Sequence, residues 1–157
     1  MLVVGNVNEG ASVARSLEAE SRILAAAEAI GIARAAYEHA VKSVKQTTSK
    51  TEPGLQGKQV LLADICVEID AARLLMLRAA HQVDANASSQ SEGSMAKLYA
   101  TEMATRAAHR AMQILGGLAA AQNPSLERNF RDARVTELST DSLELQRAII
   151  AQNMLNS

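Results

Sequence analysis

Apolar residues recur along most of this chain at the three- and four-residue spacing of an α-helix, which predicts long amphipathic helices. The first segment with this pattern runs from Gly10 to Gln46, and a break rich in Thr, Pro and Gly follows from Thr47 to Gly57. The second segment runs from Lys58 to Asp84 and the third from Ser94 to Leu115. A polar loop from Asn86 to Gly93 separates them, so the pattern indicates helices joined by short connections.

The last third of the chain continues in the same way. Gly116 and Gly117 end the third segment, as glycine often does after a helix. A short helical segment follows from Pro124 to Ala133, and a final helix runs from Ser142 to Met154. Asp141 with Glu144 matches a capping-box pattern. Four long helices with short polar connections and no strand-like alternation predict an all-α fold, an antiparallel four-helix bundle.

The predicted core is aliphatic, because hydrophobic residues make up 48% of the chain and aromatic residues only 2%. Cys66, the only cysteine, lies on the apolar stripe of the second helix and is predicted to be a buried small hydrophobe. The stripe of the first helix is predicted to contain Val13, Leu17, Leu24, Ala27, Ile30, Ala33, Ala36, Tyr37 and Ala40.

Charge and composition exclude several classes of function. The net charge of −1 and the absence of a long basic run give no support for nucleic-acid binding. No apolar run is long enough to span a bilayer and no signal peptide is apparent, so we expect a cytoplasmic location and no membrane partner. His39, His81 and His109 fall on different predicted helices without metal-site spacing, and we expect no metal.

A series of short motifs identifies a family when the motifs are taken in order. They are Arg22, residues 29–33 (AIGIA), residues 69–75 (IDAARLL), residues 94–97 (SMAK), residues 113–117 (QILGG), residues 131–134 (RDAR) and residues 146–147 (QR). This series resembles the C-terminal helical domain of the flavin-dependent acyl-CoA dehydrogenases and extends over practically the whole chain. The resemblance implies one domain over residues 1–157, with residues 1–9 as a lead-in turn.

The resemblance also implies a function. Members of the family have an N-terminal helical domain, a middle β-domain and this helical bundle. They bind FAD in clefts shared between domains and subunits and remove two hydrogens from an acyl-CoA. In the family the bundle is the core of a tetramer, so we expect a homodimer or homotetramer.

The position of the family's catalytic glutamate is occupied by Thr140, in the stretch Ser139-Thr140-Asp141-Ser142. Some members of the family place the glutamate on the first helix instead, where this chain has Ser21. A hydroxyl cannot abstract a proton beside a thioester near neutral pH. The chain is therefore expected to lack a catalytic residue. Glu18 and Glu20 are the carboxylates that lie near Ser21 in the sequence.

The flavin contacts of the family are partly retained. Lys45 stands where the family has an arginine against the FAD pyrophosphate, and it keeps the charge but loses the bidentate fork. Gln113, Gly116 and Gly117 match residues that lie against the ADP half of a neighbouring subunit's FAD. Asp141 replaces a glycine. FAD is therefore a possible cofactor, and we expect that this chain alone does not bind it.

Three functions remain open from the sequence. The first is a non-catalytic oligomerisation subunit or scaffold. The second is a subunit of a split flavoprotein that completes an FAD and acyl-CoA site with a partner chain. The third is a flavin-independent enzyme with a pocket in the dimer groove, using the carboxylates of Glu18, Glu20, Asp64, Asp141 or Glu144.

Overall fold

Helix-favouring Ala, Leu, Glu, Lys and Arg fill most of the chain, and the structure is helical accordingly. It is a computed structural model that describes residues 6, 8, 10–46, 54–85, 90–117 and 121–156, and these residues contain no strand. The helices are α1 (Gly10–Gln46), α2 (Leu55–Asp84), α3 (Gln90–Leu115), α4 (Pro124–Leu138) and α5 (Leu143–Asn156). The lead-in turn predicted at residues 1–9 lies outside this description except for residues 6 and 8.

Successive helices run in opposite directions. The carboxylate of Glu68, in the middle of α2, accepts hydrogen bonds from Arg106 at 3.4 Å and Arg110 at 2.7 Å, both in the second half of α3. Nearer the end of α2, Arg78 reaches the sulfur of Met95 near the start of α3 at 3.3 Å. These two points of contact place α2 and α3 antiparallel.

The fourth helix returns along α3 and completes the bundle. The hydroxyl of Thr105 donates to Glu137, at the end of α4, at 2.6 Å. α4 packs on both α1 and α3, and α1, α2 and α3 pack on one another. The predicted all-α, antiparallel four-helix bundle is therefore confirmed, but its fourth helix is α4, which was predicted as a short segment, and not the final helix. α5 is a fifth helix, which packs on α3 and pairs Arg147 with Glu102.

Alanine forms the contact between α1 and α3. The buried alanines of α1 recur at three- and four-residue spacing, and so do those of α3. They are Ala26, Ala29, Ala33, Ala36 and Ala40 on α1, and Ala96, Ala100, Ala104, Ala107, Ala108 and Ala111 on α3. Side chains this small let two helix backbones approach closely.

Part of the core that was predicted from the sequence was wrong. Leu17 and Leu24, predicted to be buried, are 56% and 69% exposed, because the alanine row occupies the face of α1 that meets α3. Cys66, also predicted to be buried, is exposed on α2. Its neighbour Ile65 takes the core position, and one residue along a helix turns a side chain by about 100°.

Several predicted helix ends were also wrong. α2 begins three residues before Lys58, because Gly54 adopts a left-handed φ of 87° and its carbonyl accepts from the Lys58 amide at 3.1 Å. α3 begins at Gln90 instead of Ser94, and Gly93 lies buried within its first turn, where a Cβ would stand 3.4 Å from the carbonyl oxygen of Ala19. The segment predicted to end at Ala133 continues to Leu138.

The start of α5 corrects the predicted capping box. The hydroxyl of Ser142, and not the side chain of Asp141, accepts the hydrogen bond of the Leu145 amide at 3.2 Å. Asp141 points toward the bundle, where it accepts from Arg22. A carboxylate that is bound to a buried guanidinium is not available as a helix cap, so the capping role moves one residue along the chain.

Candidate functional site

The two positions at which the family places its base lie in the same place. Ser21, on the first half of α1, and Thr140, in the turn between α4 and α5, both line a hollow of about 270 Å³. The full lining is Ala14, Leu17, Glu18, Ser21, Thr140 and Asp141. Residues that are 119 positions apart in sequence are therefore brought together by the packing of α4 and its following turn against α1.

Both hydroxyls donate to nearby backbone oxygens. The Ser21 hydroxyl donates to the carbonyl of Leu17, one helical turn earlier, at 2.7 Å. The Thr140 hydroxyl donates to the carbonyl of Ser139 at 2.6 Å, and Thr140 itself has a φ of 63°. A positive φ is strained for a β-branched residue and persists only where surrounding contacts impose it. Those contacts come from two buried cations.

A cluster of polar side chains, which we call the turn cluster, lies beneath residues 139–142. It consists of Arg22, Lys97, Asp141 and Gln146. Oδ2 of Asp141 accepts from Nη2 of Arg22 at 2.9 Å and from Nε of Arg22 at 3.2 Å. The Lys97 ammonium donates to the carbonyl oxygens of Ser139 and Asp141, on either side of Thr140.

The turn cluster is unusual because its cations are in the interior. The side chain of Arg22 is 2% exposed and Lys97 is 0% exposed. Burial lowers the pKa of Lys97, the nearby charge of Asp141 raises it, and the charge of Arg22 lowers it further. The ammonium has three N–H groups, and the carbonyl oxygens of Ser139 and Asp141 accept from two of them.

The carboxylates that line the hollow are already bound. Glu18, which is 46% exposed, accepts from Nη2 of Arg22 at 3.4 Å. Asp141 accepts from the same guanidinium, so one arginine holds both acidic groups of the hollow. Of the other carboxylates considered from the sequence, Glu20, Asp64 and Glu144 are exposed. Hydrogen bonds from its own backbone N–H and from Ser142 lower the pKa of Glu144, opposite to the raised pKa of a buried general base.

The residues predicted to contact flavin lie at the opposite end of the bundle. Lys45 is exposed in the last turn of α1, and Gln113 is exposed in the last turn of α3. Gly116 follows α3 with a φ of 83°, and its amide donates to the carbonyl of Met112 at 3.1 Å. α1 and α3 both run antiparallel to α2, so these positions share an end. Residues 47–53, which follow this end of α1, lie outside the described residues.

The exposed end fits FAD as one wall of a site. Space for close approach to a backbone exists at Gly116 and Gly117, because a Cβ at either would meet no atom within 4 Å. Lys45 supplies a positive charge for a phosphate. Lys45 also lines a groove of about 430 Å³ along α1 that is open to solvent and includes Lys42. When bound, FAD would supply hydride-acceptor chemistry.

The structure also contains a cleft that the sequence did not predict. It has a volume of about 610 Å³, lies between α1 and α2, and contains Tyr37, Glu38, Cys66 and Asp70 among its lining residues. Burial raises the pKa of Tyr37, and its hydrogen bond and charge interaction with Cys66 raise it further. None of the five carboxylates considered from the sequence lines this cleft.

The buried lysine of the turn cluster was not predicted from the sequence. Lys97 lies in the motif Ser94-Met95-Ala96-Lys97, which identified the family but not a role for the lysine. The available signal for its burial was the flanking pattern, since positions 96 and 100 are buried alanines on the same face of α3.

For metals, the described part of the chain contains no group of three or more His, Cys, Asp or Glu residues arranged to hold an ion. None of its helices has the length and apolar character needed to cross a membrane.

Comparison with known proteins gives the family. The model of the acyl-CoA dehydrogenase C-terminal domain matches residues 8–155. The chain is 38% identical over 157 residues to the mitochondrial short-chain specific acyl-CoA dehydrogenase of Bos taurus, which covers 99% of this chain and 38% of that protein. The structure resembles butyryl-CoA dehydrogenase from Megasphaera elsdenii with a TM-score of 0.89 and 31% identity, over 96% of this chain and 40% of that one.

A second solved structure extends the comparison to an electron-transferring system. The structure reported for the electron transferring flavoprotein of Acidaminococcus fermentans, on flavin-based electron bifurcation, matches with a TM-score of 0.89 and 29% identity. It covers 98% of this chain and 41% of that chain. The chain thus spans about two fifths of the length of the relatives it matches. It belongs to the acyl-CoA dehydrogenase family and corresponds to the C-terminal helical domain of that family.

Proposed function

We propose that this chain is a non-catalytic helical module of an acyl-CoA dehydrogenase-like protein, with a role in oligomerisation and scaffolding. The proposal rests on the hollow in which Ser21 and Thr140 meet. Both family positions for the base carry hydroxyls, and the carboxylates beside them, Glu18 and Asp141, are bound to Arg22. No described residue of the hollow is left as a free carboxylate for proton abstraction.

Exposed apolar side chains support the oligomerisation role. Val60, Val67 and Leu74 recur every seven residues on the outer face of α2, and each is more than half exposed. A repeat of this spacing forms a continuous stripe along a helix. Large contiguous apolar surfaces on soluble proteins are commonly interaction sites. We therefore propose a homodimer or homotetramer, and a cytoplasmic location stays a prediction.

Two measurements test this proposal. Size-exclusion chromatography with light scattering is expected to show a dimer or tetramer at micromolar concentration. A dehydrogenation assay with added FAD, a short acyl-CoA and an artificial electron acceptor is expected to show no turnover above the protein-free control. A monomer would contradict the oligomerisation role, and any turnover above the control would contradict the non-catalytic role. Loss of such turnover in the E18Q and D141N variants would assign it to the carboxylates of the hollow.

The open end of the bundle favours a second candidate function. Lys45, Gln113, Gly116 and Gly117 are exposed at one end and fit one wall of an FAD site. The chain would then complete an FAD and acyl-CoA site with a flavoprotein partner chain. The purified protein would be colourless alone, and mixing with that partner would retain flavin absorbance in the co-eluting complex. Charge removal by K45Q would weaken this retention.

A further inference from the structure

We infer that Lys97 and Arg22 are positioning residues that together clamp the turn of residues 139–142 and thereby dock α5 on the bundle. This inference is independent of whether the chain is catalytic. It assigns to the two buried cations the conformation of the turn that carries Thr140. The shape of the hollow then depends on contacts within this chain.

The clamp acts on two sides of one residue. Lys97, from α3, binds the carbonyl oxygens of Ser139 and Asp141, so the carbonyls of the residues before and after Thr140 point toward the same ammonium. Arg22, from α1, binds the Asp141 side chain through two nitrogens. The turn is therefore tied to two different helices, and its left-handed residue cannot relax without breaking a contact to a buried charge.

The docking of α5 depends on the same contacts. Gln146 is the buried residue of α5, and its Nε2 donates to Oδ2 of Asp141 at 3.4 Å. A polar link between α5 and α3, the pair of Arg147 and Glu102, lies at the surface. The fully buried side chain of α5 is thus polar, whereas its apolar residues Leu143, Ile149 and Ile150 are only partly buried.

The charges around Lys97 and Arg22 explain why one conformation of the turn is favoured. Arg22 and Lys97 are two buried cations, Asp141 is one carboxylate 22% exposed, and Glu18 is a half-exposed second carboxylate. The carbonyl oxygens of the turn supply the remaining negative partners for Lys97. Buried cations left without such partners are costly, so the turn conformation that offers the carbonyls is strongly favoured.

Amide hydrogen exchange of the whole chain tests the clamp without flavin or substrate. In the K97M variant, exchange at the amides of Asp141 and Gln146 is expected to rise by about tenfold relative to the amides of central α2, because the turn loses hydrogen bonds to a charged group. These two amides report on the clamp because they bond to the carbonyls of Ser139 and Ser142 within the turn and the start of α5.

The matched control is R34M, which removes an exposed guanidinium paired with Glu38 on the same helix as Arg22. It is expected to leave the ratio of turn exchange to α2 exchange unchanged. The clamp is overturned if K97M changes all amides by the same factor, or changes none.

A second pair of variants decides the matter if K97M does not fold. D141A removes the carboxylate that joins Arg22 to Gln146 and is expected to speed exchange in α5. D141N retains an oxygen acceptor and is expected to recover most of the protection. Equal exchange in D141A and D141N would overturn the clamp, because a packing role alone would not distinguish an amide from a methyl group in this way.

Discussion

The two ends of this bundle have opposite characters. At the end that contains the turn, Arg22 and Lys97 are buried and bound to partners within the chain. At the other end, Lys45 and Gln113 are exposed, and Gly116 presents open backbone. At the first end, Thr140 stands where we expect the family's base, in a turn bound by Lys97 and Arg22. At the second end, Lys45 stands where we expect an arginine, on an exposed surface.

This difference separates residues that stabilise the fold from residues that are exposed to a ligand or partner. Buried charges need partners within the chain, so substitutions in the turn cluster should cost much folding free energy. Exposed residues at the open end carry little folding free energy, and only a ligand or partner would hold them in place. Substitutions at the two ends should therefore have effects of very different size.

The largest expected effect is at the turn. R22M leaves Asp141 and Glu18 without their shared cation, and it should lower the free energy of unfolding by about 3 kcal/mol in urea denaturation. Adding D141N should recover part of this loss, because the two residues interact directly and their effects are not additive. A loss no larger than that of the exposed-pair variant R34M would remove the contrast between the ends.

A smaller effect is expected at Gly116. G116A places a Cβ on a residue with a φ of 83° and should cost about 1 kcal/mol of unfolding free energy. The neighbouring variant G117A is the control, since Gly117 has no positive φ among the described backbone angles. Equal thermal midpoints for the two variants would show that the left-handed conformation at Gly116 is not required.

The pH dependence at alkaline pH should separate the turn from the α1–α2 cleft. The pKa of Lys97 is lowered from 10.5, so the unfolded chain binds more protons between that lowered pKa and 10.5, and stability rises with pH there. The pKa of Tyr37 is raised from 10.0, so the unfolded chain loses its proton first and stability falls as pH rises above 10.0.

Two variants resolve these opposing contributions. K97M should lack the rise, so its unfolding free energy should fall more steeply with pH than that of the parent chain. Y37F should lack the fall and give a flatter profile. Denaturant titrations across the alkaline range measure both, and parallel profiles for all three proteins would refute the assigned pKa directions.

The smallest effect is expected at the open end. K45Q and Q113A change exposed side chains and should alter the free energy of unfolding by no more than about 0.5 kcal/mol. Both should weaken flavin retention if a flavoprotein partner completes the site. A large loss of stability in either variant would show that the open end is structural after all.

The sequence predicted the architecture well and the packing less well. The helical spacing and the ordered motifs gave the bundle and the family, because both follow from features that extend over the whole chain. Spacing alone assigned Leu17, Leu24 and Cys66 to the core. Hydrophobicity ranks leucine above alanine, whereas the close contact of α1 with α3 selects the smaller residue.

The candidate site divides in the same way. Thr140 and Ser21 were singled out by their alignment with the family, and the structure brings them into one hollow. The role of Lys97 was missed, because a lysine in a helix is ordinarily solvated, and the flanking alanines indicate burial without indicating a partner in a distant turn. Its partners are backbone carbonyls, which have no identity in the sequence.

The alanine contact between α1 and α3 gives this domain an unusual response to mutation. In most interiors, removal of carbon atoms opens cavities and is the common route to damage. Here the side chains between the two backbones are single methyl groups, so little volume can be removed. A larger side chain at any of these positions must force α1 and α3 apart. Substitutions at this contact should therefore destabilise the domain mainly when they enlarge a side chain. The stability of variants that each add one methyl group would measure how much enlargement the contact tolerates.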